Sequence, residues 1–294
     1  FMKTLITGAK GQVGTDLVLE AQRRDHDVYG FTSSELDITD SLIVNATISR
    51  IKPHILINAA AYTAVDKAET EKEKAYAVNE IGVKNLAEAC KNLDIPLLHI
   101  STDYVFDGEK QEPYVETDTP NPTSFYGASK LAGEVALQKT WHKHIILRVS
   151  WVFGEHGNNF IKTMLRLAKE RDEVSVVNDQ YGAPTSAKAI AESLLDIADK
   201  NDFAKKDFPW GLYHFESDPG VTWYEFAKEI FSQAKASGII DKEMIVHPMG
   251  SEHFKRPVKR PKNSKLKGGK IKNNFGVPLS EWAPKYLNEC IKTH

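Results

Sequence analysis

Cysteine is scarce in this chain of 294 residues: there are two, Cys90 and Cys290, and both fall inside helix-like patterns without redox or metal spacing. That excludes a disulfide scaffold and a zinc module, and it points to buried thiols in a reducing compartment. No apolar run approaches the ~18 residues of a membrane-spanning helix, and the start of the chain lacks the long apolar stretch of a secretory signal. A cytoplasmic location is expected. Neither sign of charge dominates, with Lys+Arg 38 against Asp+Glu 40 and a net charge of −2. There is thus no general field for nucleic acid or membrane, and recognition has to be local. His142 and His144 have no companions at ligand spacing, so they are read as surface residues and no metal ligand is assigned. What the chain does have is length and apolar content, 41%, enough for one large or two small cores without covalent staples.

The stretch most suggestive of chemistry is Tyr126-Gly-Ala-Ser-Lys130. On a helix, residues four apart project from one face about a turn apart. A phenol with a pKa near ~10 is a poor acid at neutral pH, and an ammonium beside it favours the phenolate and moves it towards the working range. The alternative is an ordinary helix face carrying an aromatic and a lysine.

Its context argues for the chemical reading. The apolar run Thr4-Leu5-Ile6 leads directly into Gly8-Ala-Lys-Gly11-Gln-Val-Gly14, after which Val13, Leu17 and Ala21 recur at helical spacing. Glycines between a strand and a helix suit a dinucleotide's diphosphate: Gly8 for the tight turn, Gly11 for close approach of backbone to phosphate, Gly14 for helix–strand packing. The second strand, ending at Phe31, is followed by Thr32-Ser33-Ser34 with no acid before Glu35, and Lys10 lies in the glycine loop. An acid at that strand end would disfavour a 2′-phosphate, so NADPH is the expected cofactor, with NADH tolerated. Asp37 is suited either to an adenine amino group or, like Asp40, to capping a helix that runs to about Ile51. The apolar strand Ile55–Asn58 opens into Ala59-Ala60-Ala61, small residues where open α/β sheets bind ligands. The next strand ends at Ser101-Thr102-Asp103, and the Thr102 hydroxyl is placed either to hold a substrate oxygen or to cap a turn.

In the second half, Asn159 heads a helix marked by Phe160, Met164 and Ala168 and would add a donor for a diphosphate. The loop Asn178–Thr185 reads equally as connection or substrate contact, and Trp223, Phe226 and Ile230 at helical spacing read as core. A helix is expected from Ser280 to about Lys292. One basic cluster stands out, Arg256-Pro-Val-Lys-Arg260. It is either a solvated charge run or a pair of arginines, Arg256 and Arg260, suited to gripping phosphate oxygens. The expected architecture is a Rossmann-type, doubly wound parallel α/β sheet over residues 1–150, to which later segments return. A smaller α/β substrate lobe is expected mainly from 151–294.

This order of motifs resembles the extended short-chain dehydrogenase/reductases. The runs Asn58–Glu69, Ser101–Phe106, Asn158–Phe160, Asn178–Thr185 and Arg260–Ser264 are similar to those of the dTDP-4-dehydrorhamnose reductases. That resemblance covers nearly the whole chain and implies NAD(P)H-dependent reduction of the C4 ketone of dTDP-4-dehydro-L-rhamnose to dTDP-L-rhamnose. It implies Tyr126 as general acid, Lys130 on the nicotinamide ribose and lowering the tyrosine's pKa, and Thr102 orienting the carbonyl. Gly8, Lys10, Gly11, Gln12, Val13, Asp37, Ile38 and Ala59 to Ala61 would line the cofactor, and Asp103 and Trp151 would sit against the sugar. Relatives can hold a magnesium ion in a homodimer interface through glutamates; Asp16 here replaces one of them, which counts against the ion and that dimer. Two other readings share the first half: an NADP-binding regulatory subunit like that of methionine adenosyltransferase, and an epimerase or dehydratase of another nucleotide sugar.

Overall fold

Strand and helix alternate through the first half of the computed structural model, which describes residues 1–294. Strands β1 (Lys3–Thr7), β2 (Asp27–Phe31), β3 (Ile55–Asn58), β4 (Leu97–Thr102) and β5 (His144–Val149) are separated by helices α1 (Gln12–Arg23), α2 (Ser41–Ile51), α3 (Val83–Asn92) and α4 (Phe125–Thr140). The second half adds α5 (Phe160–Glu170), β6 (Glu173–Val177), α6 (Ala187–Lys200), β7 (Gly211–His214), α7 (Trp223–Ala236) and β8 (Ile245–Met249). Six strands form one parallel sheet in the order β7-β5-β4-β3-β1-β2. The sheet is the doubly wound one the sequence pattern predicts, and its β7 edge comes from the second half.

Both faces of that sheet are covered, which is why β3 and β5 are buried along their whole length. Successive side chains alternate between faces. Leu5, Leu56, Leu97 and Ile146 pack with Val44, Ile48, Leu86 and Cys90 of the α2 and α3 layer. Their neighbours Ile6, Ile57, Leu98 and Leu147 pack with Leu17 and Ala21 of α1 and Ile190 and Leu194 of α6. Strand order reverses between β1 and β3, and open sheets of this kind take ligands at the carboxyl ends of the strands beside such a reversal. A third core joins α5, β6, α7 and the C-terminal segment through Met164, Val176, Phe226, Trp282 and Leu287. There β6 pairs in parallel with β8.

Local details differ from the sequence pattern in three places. His144 opens β5 and is buried, with its Nδ1 2.6 Å from the Trp141 carbonyl; the strand starts one residue before the apolar run and takes the imidazole inside. The segment from Ser280 is a short strand, a π-helical turn Trp282–Leu287 and a helical turn Asn288–Lys292. A second π-helical turn, Ala77–Gly82, links Lys72–Tyr76 to α3. No helix is long and apolar enough to cross a membrane.

Candidate active site

The turn from β1 into α1 is shaped by glycine at two points. Gly8 has φ of 65°, and a Cβ there would lie 2.6 Å from the Ala59 carbonyl; a Cβ on Gly14 would lie 1.8 Å from the Gly8 oxygen. Both residues therefore set the turn and are not among those lining the cleft. Gly11 is the N-cap of α1 and offers no side-chain acceptor, so the first-turn N–H groups have no side-chain partner. They lie where Lys10, Gly11, Gln12 and Val13 border a cleft of about 1630 Å³. An uncapped helix N-terminus on a concave surface is an anion site by construction, and this chain's residues fit a dinucleotide diphosphate there. Ala59 and Ala61 line the same cleft. Asp37 is exposed and its Oδ1 accepts from the backbone N–H and the hydroxyl of Thr39. Ile38 is buried, and a Cβ on Gly82 would meet it at 2.5 Å; neither Asp37 nor Ile38 lines the cleft. Past the end of β2, Glu35 turns back to accept from the Thr32 N–H at 3.0 Å, leaving the Thr32 and Ser34 hydroxyls bonded to one another.

Ser124 caps α4 by accepting from Gly127 N–H, which fixes Tyr126 and Lys130 on the first turns of a helix packed against β4. Both are buried, at 8% and 3% exposure, on the wall of the cleft that also carries Thr102 and Asp103. Lys130 Nζ donates to the Ile100 carbonyl at 2.9 Å, and burial, partly offset by the Glu134 charge, brings its pKa down to about 8. Tyr126 departs from the expected direction. Burial drives its pKa up to about 12, with the Thr102 hydroxyl's hydrogen bond pulling it back and the Asp103 charge pushing it further. The ammonium holds a backbone carbonyl, and desolvation outweighs whatever it does for the phenol. Thr102 takes the capping reading: its hydroxyl accepts from Tyr104 N–H as the cap of a 3₁₀ turn and donates to Asp103 Oδ1 at 3.4 Å, on the cleft wall that also carries Tyr126. Asp103 is 4% exposed and its Oδ2 has no partner; burial raises its pKa to about 7.

Across the cleft, Trp151 has φ of 48° and stacks on Trp223 with ring centroids 3.7 Å apart. Trp223 lines the cleft and also packs against Phe160 and Phe226 at the edge of the third core, so the core reading from its helical spacing holds and the cleft wall is an addition to it. Asn159 is not free to donate to a ligand. Its amide already donates to Gln12 Oε1 and the Gly154 carbonyl, and its oxygen caps α5. The two arginines part company as well. Arg260 is held in two parallel bonds to Asp66, at 2.9 and 3.0 Å, whereas Arg256 has no carboxylate partner and lies over the Phe254 ring. Both line the cleft. No group of three or more His, Cys, Asp or Glu side chains is placed to hold a metal ion. Asp16, near His156 at 3.9 Å, has an unpartnered Oδ2 and a pKa raised to about 6 by burial.

With this geometry in hand, comparison with known proteins is decisive: the model of the RmlD substrate binding domain family matches residues 2–294. The chain belongs to this family. A dTDP-4-dehydrorhamnose reductase from Aggregatibacter actinomycetemcomitans is 46% identical over 95% of both chains. One from Escherichia coli is 39% identical over 99% of both. Among solved structures, a dTDP-4-dehydrorhamnose reductase from Clostridium acetobutylicum superposes with a TM-score of 0.90 at 41% identity, covering 99% of each chain. Its Bacillus anthracis counterpart, solved in complex with NADP, gives 0.88 at 38% identity, covering 99% of this chain and 97% of the other.

Beneath Tyr126 and Lys130 lies a buried network that sequence reading missed. Glu134, one turn beyond Lys130, accepts from Arg148 Nη2 at 2.6 Å and Nε at 3.0 Å, and from the Ser101 hydroxyl at 2.5 Å. Arg148 also donates to His214 Nε2 at 3.2 Å. The available signal was a lone arginine inside the apolar run Ile145–Val149, since a charge in a covered parallel strand requires a buried partner.

Proposed function

We propose that this cleft reduces the C4 ketone of dTDP-4-dehydro-L-rhamnose to dTDP-L-rhamnose, with NADPH as the reductant. The observation that carries the reading is one cleft holding both an uncapped α1 N-terminus and the buried set Tyr126, Thr102 and Lys130. The relatives named for this reaction, and the NADP in the Bacillus anthracis structure, support it. Bound NADPH supplies the hydride that the carbonyl carbon takes up.

The residues of this chain do the rest. Gln12 and Val13 would present N–H groups to the diphosphate, Gly11, whose own N–H goes to the Gly8 carbonyl, lets the anion approach the backbone, Ala59 and Ala61 leave room beside it, and Lys10 with the Thr32 and Ser34 hydroxyls suits a 2′-phosphate. Tyr126 keeps its proton across the working pH range and gives it to the developing alkoxide; Thr102 aligns the oxygen. Lys130, charged below about pH 8, stabilises the negative charge passed to the phenol in a site largely shielded from water. The partnerless Oδ2 of Asp103 would accept from a sugar hydroxyl, Trp151 would flank the ring, and Arg256 would meet the substrate's diphosphate. The alternatives of epimerase and dehydratase leave the cofactor unconsumed, and a regulatory subunit binds it without turnover. Loss of nicotinamide absorbance on adding dTDP-4-dehydro-L-rhamnose to protein and NADPH is therefore the test, repeated with NADH. Tight NADPH binding with no sugar-dependent loss would refute the assignment.

A further inference from the structure

Between Phe254, whose N–H goes to the Ser251 carbonyl, and Lys262, whose carbonyl accepts from Tyr181, the chain crosses the cleft as an irregular strap. Pro257 and Pro261 have no N–H to give. The polar ties of this strap to the rest of the protein converge on one side chain, Asp66, in the loop after β3. Asp66 Oδ1 accepts from Val258 N–H at 3.2 Å and Arg260 Nη1 at 2.9 Å, and Oδ2 accepts from Arg260 Nη2 at 3.0 Å. The partners are up to 194 residues apart in sequence. Arg260 Nη1 also donates to the Val258 carbonyl, so the guanidinium folds the strap back on itself while gripping the carboxylate.

We propose that Asp66 is a positioning residue for substrate binding. It fastens the strap so that Arg256, which touches no carboxylate, is presented to the diphosphate of the nucleotide sugar. This rests on the function proposed above and adds to it. The argument is one of charge and geometry. Arg260 alone of the strap's four cations, Lys255, Arg256, Lys259 and Arg260, is neutralised, and a fork-to-carboxylate pair fixes direction as well as distance. Arg256 is exposed, with its guanidinium over the Phe254 ring beside that fixed point. An anion arriving there finds a cation already oriented, and holding the strap in advance lowers the ordering cost of binding.

The test compares the unaltered protein with Asp66→Ala, Asp66→Asn and the conservative Asp66→Glu. Asp66→Ala is expected to raise the KM for dTDP-4-dehydro-L-rhamnose by about tenfold or more, the loss of roughly one well-placed charge contact, with kcat at saturating sugar and NADPH affinity within twofold. Asp66→Glu restores most of the KM. Tryptic cleavage after Lys255 and Lys259, followed without any ligand, should accelerate in Asp66→Ala and not in Asp66→Glu. An unchanged KM, or a loss in kcat and NADPH affinity as large as that in KM, overturns the positioning role; unchanged cleavage overturns the fastening. If the unaltered protein does not reduce the sugar, the function itself fails, and that failure is distinguishable because the cleavage measurement needs no substrate.

Discussion

At Tyr126 the competing influences can be ranked. Burial wins over the hydroxyl bond from Thr102 and holds the phenol protonated, with a pKa near 12, which suits a residue whose task is to deliver a proton. Tyr126→Phe removes the acid and little volume, so turnover should fall by roughly 10²–10⁴-fold while NADPH affinity, measured by fluorescence titration, stays nearly unchanged. Near-normal turnover in that variant would remove Tyr126 from the mechanism. Lys130 sets the pH range: it is charged below about 8 and loses its proton above. The kcat/KM profile should accordingly descend through a one-proton limb centred near pH 8. Asp103 carries a stability prediction. Its folded pKa, about 7, lies above the ordinary aspartate value of 3.8, so the folded state retains a proton that the unfolded chain releases. Stability then falls as pH rises from about 4 to about 7, by an amount on the order of 4 kcal/mol. Asp103→Asn should unfold at higher urea than the parent at pH 8 and show no such gain at pH 4. A gain of equal size at both pH values would mean that the charge is not the cause.

Helix α4 and strands β4 and β5 are locked by Glu134, Arg148 and Ser101, all buried. Removing one partner of a buried ion pair strands the other without water or counter-charge. Glu134→Gln should therefore cost about 3–5 kcal/mol in urea unfolding. The Glu134 charge also raises the pKa of Lys130. In the folded variant the Lys130 limb of kcat/KM should thus move to lower pH; an unmoved limb would separate Glu134 from the chemistry. This lock marks the limit of what the sequence makes legible. Strand and helix positions follow from local periodicity, as at Ile55–Asn58, and the Gly8, Gly11, Gly14 turn and the Tyr126–Lys130 spacing are local too. Pairings such as Glu134 with Arg148, Asp66 with Arg260 or Trp151 with Trp223 join distant segments, and no local pattern encodes them. Asn159 shows the converse error, because a residue of the right type in the right place can have its donors spent on Gln12 and the Gly154 carbonyl and its oxygen on its own helix cap.

The whole molecule is not divided where its motifs divide. The first 150 residues contain the glycine turn, Tyr126 and Lys130, yet α1 buries Leu17 and Ala21 against Ile190 and Leu194 of α6, and β5 completes its hydrogen bonds with β7. A fragment ending at residue 150 would expose that helix layer and the β5 edge together. Each large aliphatic side chain left in water forfeits about 1.5–3 kcal/mol, so even four such losses rival the 5–15 kcal/mol that typically holds a domain folded. An unpaired, apolar parallel edge also invites aggregation. Arg148 would lose His214 as well, leaving its Nη1 without its buried acceptor. The fragment 1–150 should show no cooperative urea transition and no NADPH binding, whereas a chain extended through α6, β7 and the helical turn Gly269–Phe275 should regain both. Cooperative unfolding of fragment 1–150 with NADPH bound would instead show that the first half is an independent dinucleotide domain, and that α6 and β7 are additions to a core already sufficient without them.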